Sequence, residues 1–373
     1  MSSYFFIPYI VLYASSLRIS LGLLLAIEAI FALLTVLFDL PAGLFADRIG
    51  PRRALVIGTV LEGIASLLLG GIPHMIVFWA VQPLFAGSQA LVMGADAALA
   101  AQTLQREDRA SEFESAERLY QSANLAVNAI ILLSASLLSL ASLRAPFLAT
   151  GGIQLLAALV FCMVPDVPPS ERQKIQRLPL MSQLSGLAAG IKRSPGLPVD
   201  LVMMILAGTT FSVLLYLMPV FYVSSGISVH LVGAVSAVVA LAAAGATAAL
   251  RGKWPLRVSI IVAVVAAAAL SAKLAVVVVI ATVLLKTVQA RVLPRYRARV
   301  LEDLQDYGKA TAMSVVTTSQ NIGFAVLSPV VGVFTNWSGP RGVSALCAGL
   351  FLVAGLTMSA RMSTHPIRNY SGG

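Results

Sequence analysis

Charged residues are scarce in this chain of 373 residues, where Asp, Glu, Lys and Arg together make up 11% of the sequence. Soluble domains carry about 25% charged residues, whereas 58% of this sequence is hydrophobic. A water-soluble protein is therefore excluded, because most of its surface could not face water. The formal net charge of +10 does not indicate nucleic-acid binding, since the charges lie in short segments between apolar runs.

Cysteine and histidine are also rare, with two Cys and three His residues. Both Cys162 and Cys347 lie within apolar runs, which favours packing over a disulfide bond. No His has a second ligand at metal-binding spacing, and the sequence has neither a phosphate-binding loop nor a nucleophile–base pair. The chain is therefore predicted to be no enzyme and to use no metal and no cofactor.

Apolar runs dominate what remains, and most of them approach the roughly 20 residues that a membrane-spanning helix needs. They predict an all-α integral membrane protein with twelve transmembrane helices. The helices are predicted at 3–16, 20–46, 54–72, 75–103, 118–140, 144–164, 199–222, 229–250, 255–271, 274–293, 309–334 and 342–360. The first run is short and contains Pro8, so the first helix is expected to be truncated or to be completed by packing.

A long polar interval divides the chain into two related halves. The predicted domains are an N-terminal six-helix half at 1–164, a cytoplasmic linker at 165–198, and a C-terminal six-helix half with a short cytoplasmic tail at 199–373. The halves echo each other: Ile-Ser-Leu-Gly-Leu at 19–23 opens helix two, and Ile-Ser-Val-His-Leu at 227–231 opens helix eight. The charged hairpin at 47–53 has a weaker counterpart at 251–255, so the halves are predicted to be pseudo-symmetric.

Loop charges predict the orientation in the membrane, because Lys and Arg concentrate in cytoplasmic loops. Of the 26 Lys and Arg residues, the predicted helices place 22 on one side. The other four are Arg18, Arg144, Lys273 and Arg341. This bias predicts that the hairpin at 47–53, the linker and both termini are cytoplasmic, and it indicates the plasma (inner) membrane.

The hairpin after helix two carries the most specific sequence motif. It reads Gly-Leu-Phe-Ala-Asp-Arg-Ile-Gly-Pro-Arg-Arg from Gly43 to Arg53. This resembles the signature loop between helices two and three of the major facilitator superfamily, in both sequence and position. The segments 93–98 and 310–314 look like parts of the same superfamily. The resemblance implies a transporter built from two six-helix halves.

Two departures from the sequence patterns of the superfamily count against assigning the chain to one of its subclasses. Many members carry an Arg in helix four about four residues before a Gly, but here Pro83 stands four residues before Gly87. Drug–proton antiporters often have a Gly- and Pro-containing run in helix five, which residues 124–139 lack. Both absences count against a drug–proton antiporter and leave the superfamily resemblance intact.

The resemblance also implies a cytoplasmic gate at the signature loop. In this hypothesis its charges hold the two halves closed in one state and release them in the other, since Arg suits bidentate pairs with carboxylates. The alternative is that the arginines serve orientation alone. Asp96 is expected to pair with these arginines rather than to contact substrate. The predicted gate residues are Asp39, Gly43, Asp47, Arg48, Gly50, Arg52, Arg53 and Asp96.

Ionisable residues at bilayer depth are candidates for function, because placing one there costs at least ~2.5 kcal/mol on insertion scales. Glu28 ranks first as a substrate or proton site, with a structural hydrogen bond as the alternative. Glu62 is expected to be structural, because third helices of this fold usually pack on the outside of the bundle. The Lys286 side chain is expected to extend to the membrane–water interface. The alternative is that it binds an anionic substrate. The candidate substrate or proton site is Glu28, Tyr9, Tyr13, Gln121, Asn124 and Lys286.

The sequence thus predicts a secondary active transporter that works by alternating access. Efflux of an amphiphilic or drug-like compound, with or without proton antiport, is the first expectation, because the cavity-forming segments are mostly apolar. Uptake of a nutrient or metabolite is the alternative, and a non-transporting sensor or scaffold with the same fold is another. The predicted partners are a small-molecule substrate, protons and the lipid bilayer, and the chain is predicted to act as a monomer.

Overall fold

The computed structural model describes residues 4–93, 95–106, 113–165, 197–250, 255–303 and 309–364. All regular structure in these ranges is helical. The helices are α1 (Ile10–Ser16), α2 (Leu21–Ile49), α3 (Pro51–Gly71), α4 (Met75–Ala80), α5 (Gln82–Val92), α6 (Ala95–Arg106), α7 (Phe113–Ala141), α8 (Ala145–Met163), α9 (Leu197–Ser224), α10 (Val232–Ala249), α11 (Leu256–Ala269), α12 (Ala275–Asp303) and α13 (Lys309–Thr364). These helices confirm an all-α fold.

Eight helices in the described ranges are long and apolar enough to cross a membrane. The last of these spans, Val316–Thr357, is 42 residues long and contains Gly339, with φ 67° and ψ −174°. Only glycine adopts that backbone conformation readily, and Pro340 follows it, so α13 consists of two helical parts at the positions of predicted helices eleven and twelve. The shorter apolar helices Ala126–Ala141 and Arg257–Ala269 match predicted helices five and nine. The architecture is consistent with the twelve predicted helices.

Two predicted helices are divided or much shorter in the structure. The segment predicted as one helix at 75–103 is divided into α4, α5 and α6. Pro83 is one cause, because it has no N–H to donate to the carbonyl four residues earlier. The first helix is limited to Ile10–Ser16 and is preceded by turns, since the fixed φ and missing N–H of Pro8 disfavour a continuous helix from residue 3.

The chain divides into two compact units. Unit 1 contains Met1–Pro179 and Val229–Ala237, and unit 2 contains Leu180–Ser228 and Val238–Gly373. Most of the predicted linker, the predicted hairpin counterpart at 251–254 and the tail after residue 364 lie outside the described residues. The predicted domain boundaries therefore stay a prediction.

Helix α3 is central to unit 1, where it packs against α8, α5 and α6, and α2 packs against α5. In unit 2, α9 packs against α12 and α13, and α11 packs against the same two helices. The rings of Phe211 in α9 and Phe351 in α13 lie 4.5 Å apart, centroid to centroid. Each unit thus has its own helix–helix core, and the candidate residues are described unit by unit below.

Candidate functional site

The signature hairpin is a turn of one residue between two helices. Helix α2 ends at Ile49 and α3 begins at Pro51, so both helices extend further than the sequence predicted. Gly50 between them has φ 94°, which glycine adopts without the steric cost of a Cβ. Pro51 then occupies the first helical position, where a missing N–H costs no hydrogen bond.

Small and apolar side chains hold this hairpin against the rest of unit 1. Ala46 of α2 and Ala54 and Leu55 of α3 form a buried cluster with Ala95 and Leu99 of α6. Asp96, in the first turn of α6, is exposed beside this cluster. The signature segment and the segment at 93–98 both resemble the superfamily. This packing brings them together at one end of unit 1.

Arg52 binds the end of α8. Its Nε donates to the backbone oxygen of Phe161 at 3.1 Å, and its Nη2 donates to the backbone oxygen of Cys162. The last carbonyls of a helix have no partner within the helix and carry partial negative charge. Arg52 therefore stabilises the C-terminal end of α8 inside unit 1, while Arg48 and Arg53 are exposed.

Arg144 makes the same arrangement at the opposite end of the same helix pair. It precedes α8, its Nε donates to the backbone oxygen of Gly70 at 2.6 Å, and its Nη2 donates to that of Gly71. Helices α3 and α8 are thus antiparallel, and each begins beside an arginine that binds the final carbonyls of the other. Sequence reasoning treated Arg144 only as a loop charge, because nothing local in the sequence indicates its partner.

Two glycines let α3 and α8 approach closely between these ends. A Cβ on Gly63 would lie 3.2 Å from the backbone oxygen of Gly151, and a Cβ on Gly151 would lie 2.9 Å from that of Gly63. Small residues at such contacts are a common device of membrane helix pairs. The pair is therefore fixed by backbone contact in its middle and by arginines at both ends.

A buried carboxylate lies beside this glycine contact. Glu62 in α3 is 2% exposed. Ser88 Oγ of α5 donates to Glu62 Oε2 at 3.2 Å, Gln154 Nε2 of α8 donates to Glu62 Oε1, and the Tyr4 side chain is a third hydrogen-bond partner. Sequence reasoning named Glu62 as structural and did not find its partners. An acidic residue within an apolar run indicates that Glu62 needs polar partners. Nothing in the sequence around Ser88 or Gln154 identifies them as those partners.

The two candidate tyrosines of the N-terminal segment are buried. Tyr13 is 2% exposed, its hydroxyl donates to the backbone oxygen of Leu69 at 3.0 Å, and its ring lies 4.8 Å from that of Phe147. Tyr9 is 0% exposed, its hydroxyl lies 3.3 Å from Ser136 Oγ and accepts from the Gly233 backbone N at 3.1 Å. The structure thus gives both hydroxyls protein partners, and their substrate role stays a prediction.

The remaining candidates are spread over several helices. Glu28 and Asp39 are half-buried in α2, Asn124 is half-buried in α7, and Lys286 is half-buried in α12. Glu28 and Asn124 each have an interaction partner. Gly43 is buried in α2. The side chains of Asp47 and Gln121 lie outside the described residues.

Comparison with known proteins identifies the class. The family model described as Major Facilitator Superfamily matches residues 1–293, and the chain belongs to that family. A search of curated proteins gave no match. Membership of the Major Facilitator Superfamily makes the chain a membrane transport protein and not an enzyme, which confirms both predictions.

Solved structures share the fold at low sequence identity. A mutant of nucleoside transporter NupG has a TM-score of 0.77 at 12% identity, covering 95% of this chain and 94% of that one. A bacterial homolog of the human lysosomal transporter Spinster, inward-facing and occupied, has a TM-score of 0.72 at 12% identity, covering 96% and 94%. A mutant of peptide transporter POT has a TM-score of 0.69 at 14% identity, covering 97% and 91%. At these identities the likeness shows the fold alone.

Proposed function

We propose that this protein is a secondary active transporter that moves an amphiphilic small molecule out of the cytoplasm by alternating access. Family membership supports transport. The observation that supports an amphiphilic substrate is the composition of the sequence, which is 58% hydrophobic and 11% charged, with few of the charged residues at bilayer depth. Few charges are available to bind a strongly polar substrate at that depth, so apolar surface on the substrate has to provide much of the affinity.

Glu28 is proposed as a contact for the substrate or for a coupling proton. It is the one acidic residue in the most hydrophobic span, Leu21–Asp39, before the final Asp39. An ionisable residue at that depth is a functional candidate by default. Tyr9, Tyr13, Gln121, Asn124 and Lys286 are proposed as further contacts of the transport pathway.

The signature hairpin is proposed as the cytoplasmic gate. The proposal is supported by its motif and by the one-residue turn at Gly50, which brings the charged ends of α2 and α3 together. Arg52 binds the end of α8 within unit 1, so Arg48, Arg53 and Asp47 are the proposed moving contacts. The orientation with both termini in the cytoplasm, the inner-membrane location and the monomeric state belong to the same proposal.

Transport is tested with the full chain reconstituted in proteoliposomes and a panel of fluorescent amphiphilic cations, neutral compounds and nucleosides. We expect a pH gradient to drive an amphiphilic compound through the protein from its cytoplasmic side to its outer side. Glu28→Gln is expected to lower that flux at least about tenfold, while Ile30→Leu, at an exposed neighbouring position, is expected to keep it. Gradient-driven movement of nucleosides inward, with no flux of amphiphiles, would overturn efflux in favour of uptake. Binding without flux would instead indicate a sensor.

A further inference from the structure

Glu62 is the acid that unit 1 encloses most completely among the described residues of α3 and its neighbours. It lies near the middle of the 21-residue span Pro51–Gly71 and is 2% exposed. An ionisable group at that depth is costly to retain, by at least ~2.5 kcal/mol for a charge on insertion scales. A glutamine would fill the same space and form similar hydrogen bonds at a lower cost. The carboxyl group therefore calls for a role that an amide could not perform.

The described hydrogen-bond partners of this carboxyl are neutral. In the described part of the chain its hydrogen-bond partners are the Ser88 hydroxyl, the Gln154 amide and the Tyr4 phenol. None of these three supplies a positive charge to balance a buried carboxylate. A bound proton removes the negative charge instead, and buried acids without a cation partner favour that form.

The partners can accommodate both protonation states. The amide nitrogen of Gln154 only donates, whereas the Ser88 hydroxyl can donate or accept. When Glu62 is ionised, Ser88 donates to Oε2 across the 3.2 Å that separates the two oxygens. When Oε2 carries a proton, that O–H can donate to Ser88 Oγ after the hydroxyl rotates, and Gln154 continues to donate to Oε1. No hydrogen bond of the network has to break when the proton binds or leaves.

The distance of the other titratable groups from Glu62 along the membrane normal follows from their positions in the helices. Tyr4 contacts Glu62 and is half-buried, which makes it the accessible member of the group. Helices α2 and α3 meet at Gly50, so a rise of 1.5 Å per residue places Glu28 about 15 Å from the level of Glu62. Asp39 of α2 lies at about the same depth as Glu62 and is half-buried. From α5 and α8, the partners that reach Glu62 are Ser88 and Gln154, neither of which titrates.

We infer that Glu62 is a proton-binding site of unit 1, with the proton held on Oε2 and shared with Ser88. The reaction is the addition of one proton to a carboxylate, and its reverse. Coupling of this proton to substrate movement rests on the proposed transport function. Proton binding itself does not, so the two can be tested separately.

Proton binding is tested by infrared difference spectroscopy of the full chain in liposomes, without any substrate, as the pH is lowered. The wild type is expected to gain the carbonyl band of a buried carboxylic acid, with a shift in heavy water. Glu62→Gln is expected to lose the Glu62 component of that band, and Glu28→Gln, whatever band a proton on Glu28 contributes, is expected to keep the Glu62 component. Ser88→Ala, which retains the carboxyl group, should move the band because the proton loses its acceptor. The inference would be overturned if Glu62→Gln showed the same band as the wild type. It would also be overturned if sodium ions changed the band at constant pH.

Coupling is tested with the compound that the wild type transports. Glu62→Gln is expected to lose the acceleration by a pH gradient, at least about tenfold, while it retains exchange of labelled for unlabelled compound without a gradient. Unchanged gradient-driven flux in Glu62→Gln would overturn the coupling role. If the wild type moves none of the compounds but Glu62 titrates, the proposed function fails and the proton site stands.

Discussion

The two helix pairs that dominate their units are built differently. In unit 1, α3 and α8 meet at Gly63 and Gly151, where each glycine faces a backbone oxygen of the other helix. In unit 2, α9 and α13 meet where Gly323 faces the side chain of Ile205, and no backbone atom is among the nearest neighbours of a Cβ placed there. A side chain can change its rotamer, whereas the backbone of a packed helix cannot move without shifting the whole helix.

Directional bonds widen the difference. The α3–α8 pair has an arginine binding the final carbonyls at each end and the buried Glu62–Gln154 hydrogen bond between them. The α9–α13 pair has the ring contact of Phe211 with Phe351, which constrains distance more than register. The comparison indicates that backbone contact and directional bonds fix the register of α3 against α8, while side-chain packing supports α9 against α13.

The largest expected effect is that of a methyl group at the glycine contact. Gly151→Ala places a Cβ 2.6 Å from Leu67 Cγ and 2.9 Å from the Gly63 oxygen. Overpacking of this kind costs about 1–3 kcal/mol, which exceeds the gain of up to about 1 kcal/mol from replacing glycine in a helix. We expect a clear loss of thermal stability, measured as the apparent melting temperature in detergent.

The adjacent glycine provides a matched control. A Cβ on Gly152 meets nothing within 4 Å, so Gly152→Ala should leave the melting temperature unchanged or raise it. Gly323→Ala in unit 2 should also lower it, since the added Cβ would clash with Ile205 Cγ2 and a β-branched side chain in a helix has one preferred rotamer. The second change Ile205→Ala should relieve that contact, whereas no side-chain change removes the Gly63 backbone oxygen. No recovery at Gly323 on adding Ile205→Ala would contradict the distinction between backbone and side-chain contacts.

A smaller effect is expected from removing one partner of the buried acid. Gln154→Leu keeps the approximate volume of the side chain but leaves Glu62 with one donor fewer, and an unsatisfied buried group costs about 1–3 kcal/mol. Protonation of Glu62 can absorb part of that cost, so the loss of stability should be smaller at low pH than at high pH. The measurement is thermal unfolding of the wild type and the variant over a range of pH.

The counterpart in unit 2 is a glutamine that binds an exposed group. Gln320 Oε1 accepts from Arg297 Nη2 at 3.0 Å, and Arg297 is exposed, so water can replace this bond. Gln320→Leu should therefore change stability by no more than about 0.5 kcal/mol, with no dependence on pH. A pH-dependent loss as large as that of Gln154→Leu would remove the contrast between the two units.

Sequence patterns predicted those features that depend on local chemistry. Apolar runs located the helices, and the motif around Gly50 located the tight hairpin. The helices on either side of Gly50 are longer than predicted, because charged residues at the end of a membrane helix lie beyond the hydrocarbon and do not have to end the helix. Gly50 and Pro51 end it instead.

Partners that lie far apart in the sequence could not be predicted in this way. Arg144 binds the end of α3, and Gln154 binds Glu62. Both bonds depend on the antiparallel register of α3 and α8, which are separated in the sequence by four other helices. That register follows from the fit of Gly63 against Gly151, and a single glycine in an apolar run carries no signal of its partner. The predicted roles of Glu28 and of the gate arginines likewise depend on contacts that sequence spacing does not determine.

The smallest expected effect within unit 1 is that of removing an arginine from one end of the α3–α8 pair. Arg144→Met keeps much of the apolar side chain but frees the carbonyls of Gly70 and Gly71, and favourable charge at a helix end contributes about 0.3–1 kcal/mol. The loss should be local, because the middle of the pair stays packed. We expect faster hydrogen exchange in the last turn of α3 and little change in melting temperature.

Arg52→Met should give the same local result at the end of α8, and Arg18→Met, which alters an exposed residue, is the control. The two ends of α3 are separated by about 30 Å, and substitutions at that distance without shared partners are additive. The double variant Arg52→Met with Arg144→Met should therefore lose the sum of the two single changes. A loss well beyond that sum would mean that the glycine contact alone does not hold α3 and α8 together, and that the arginines set the register of the whole pair.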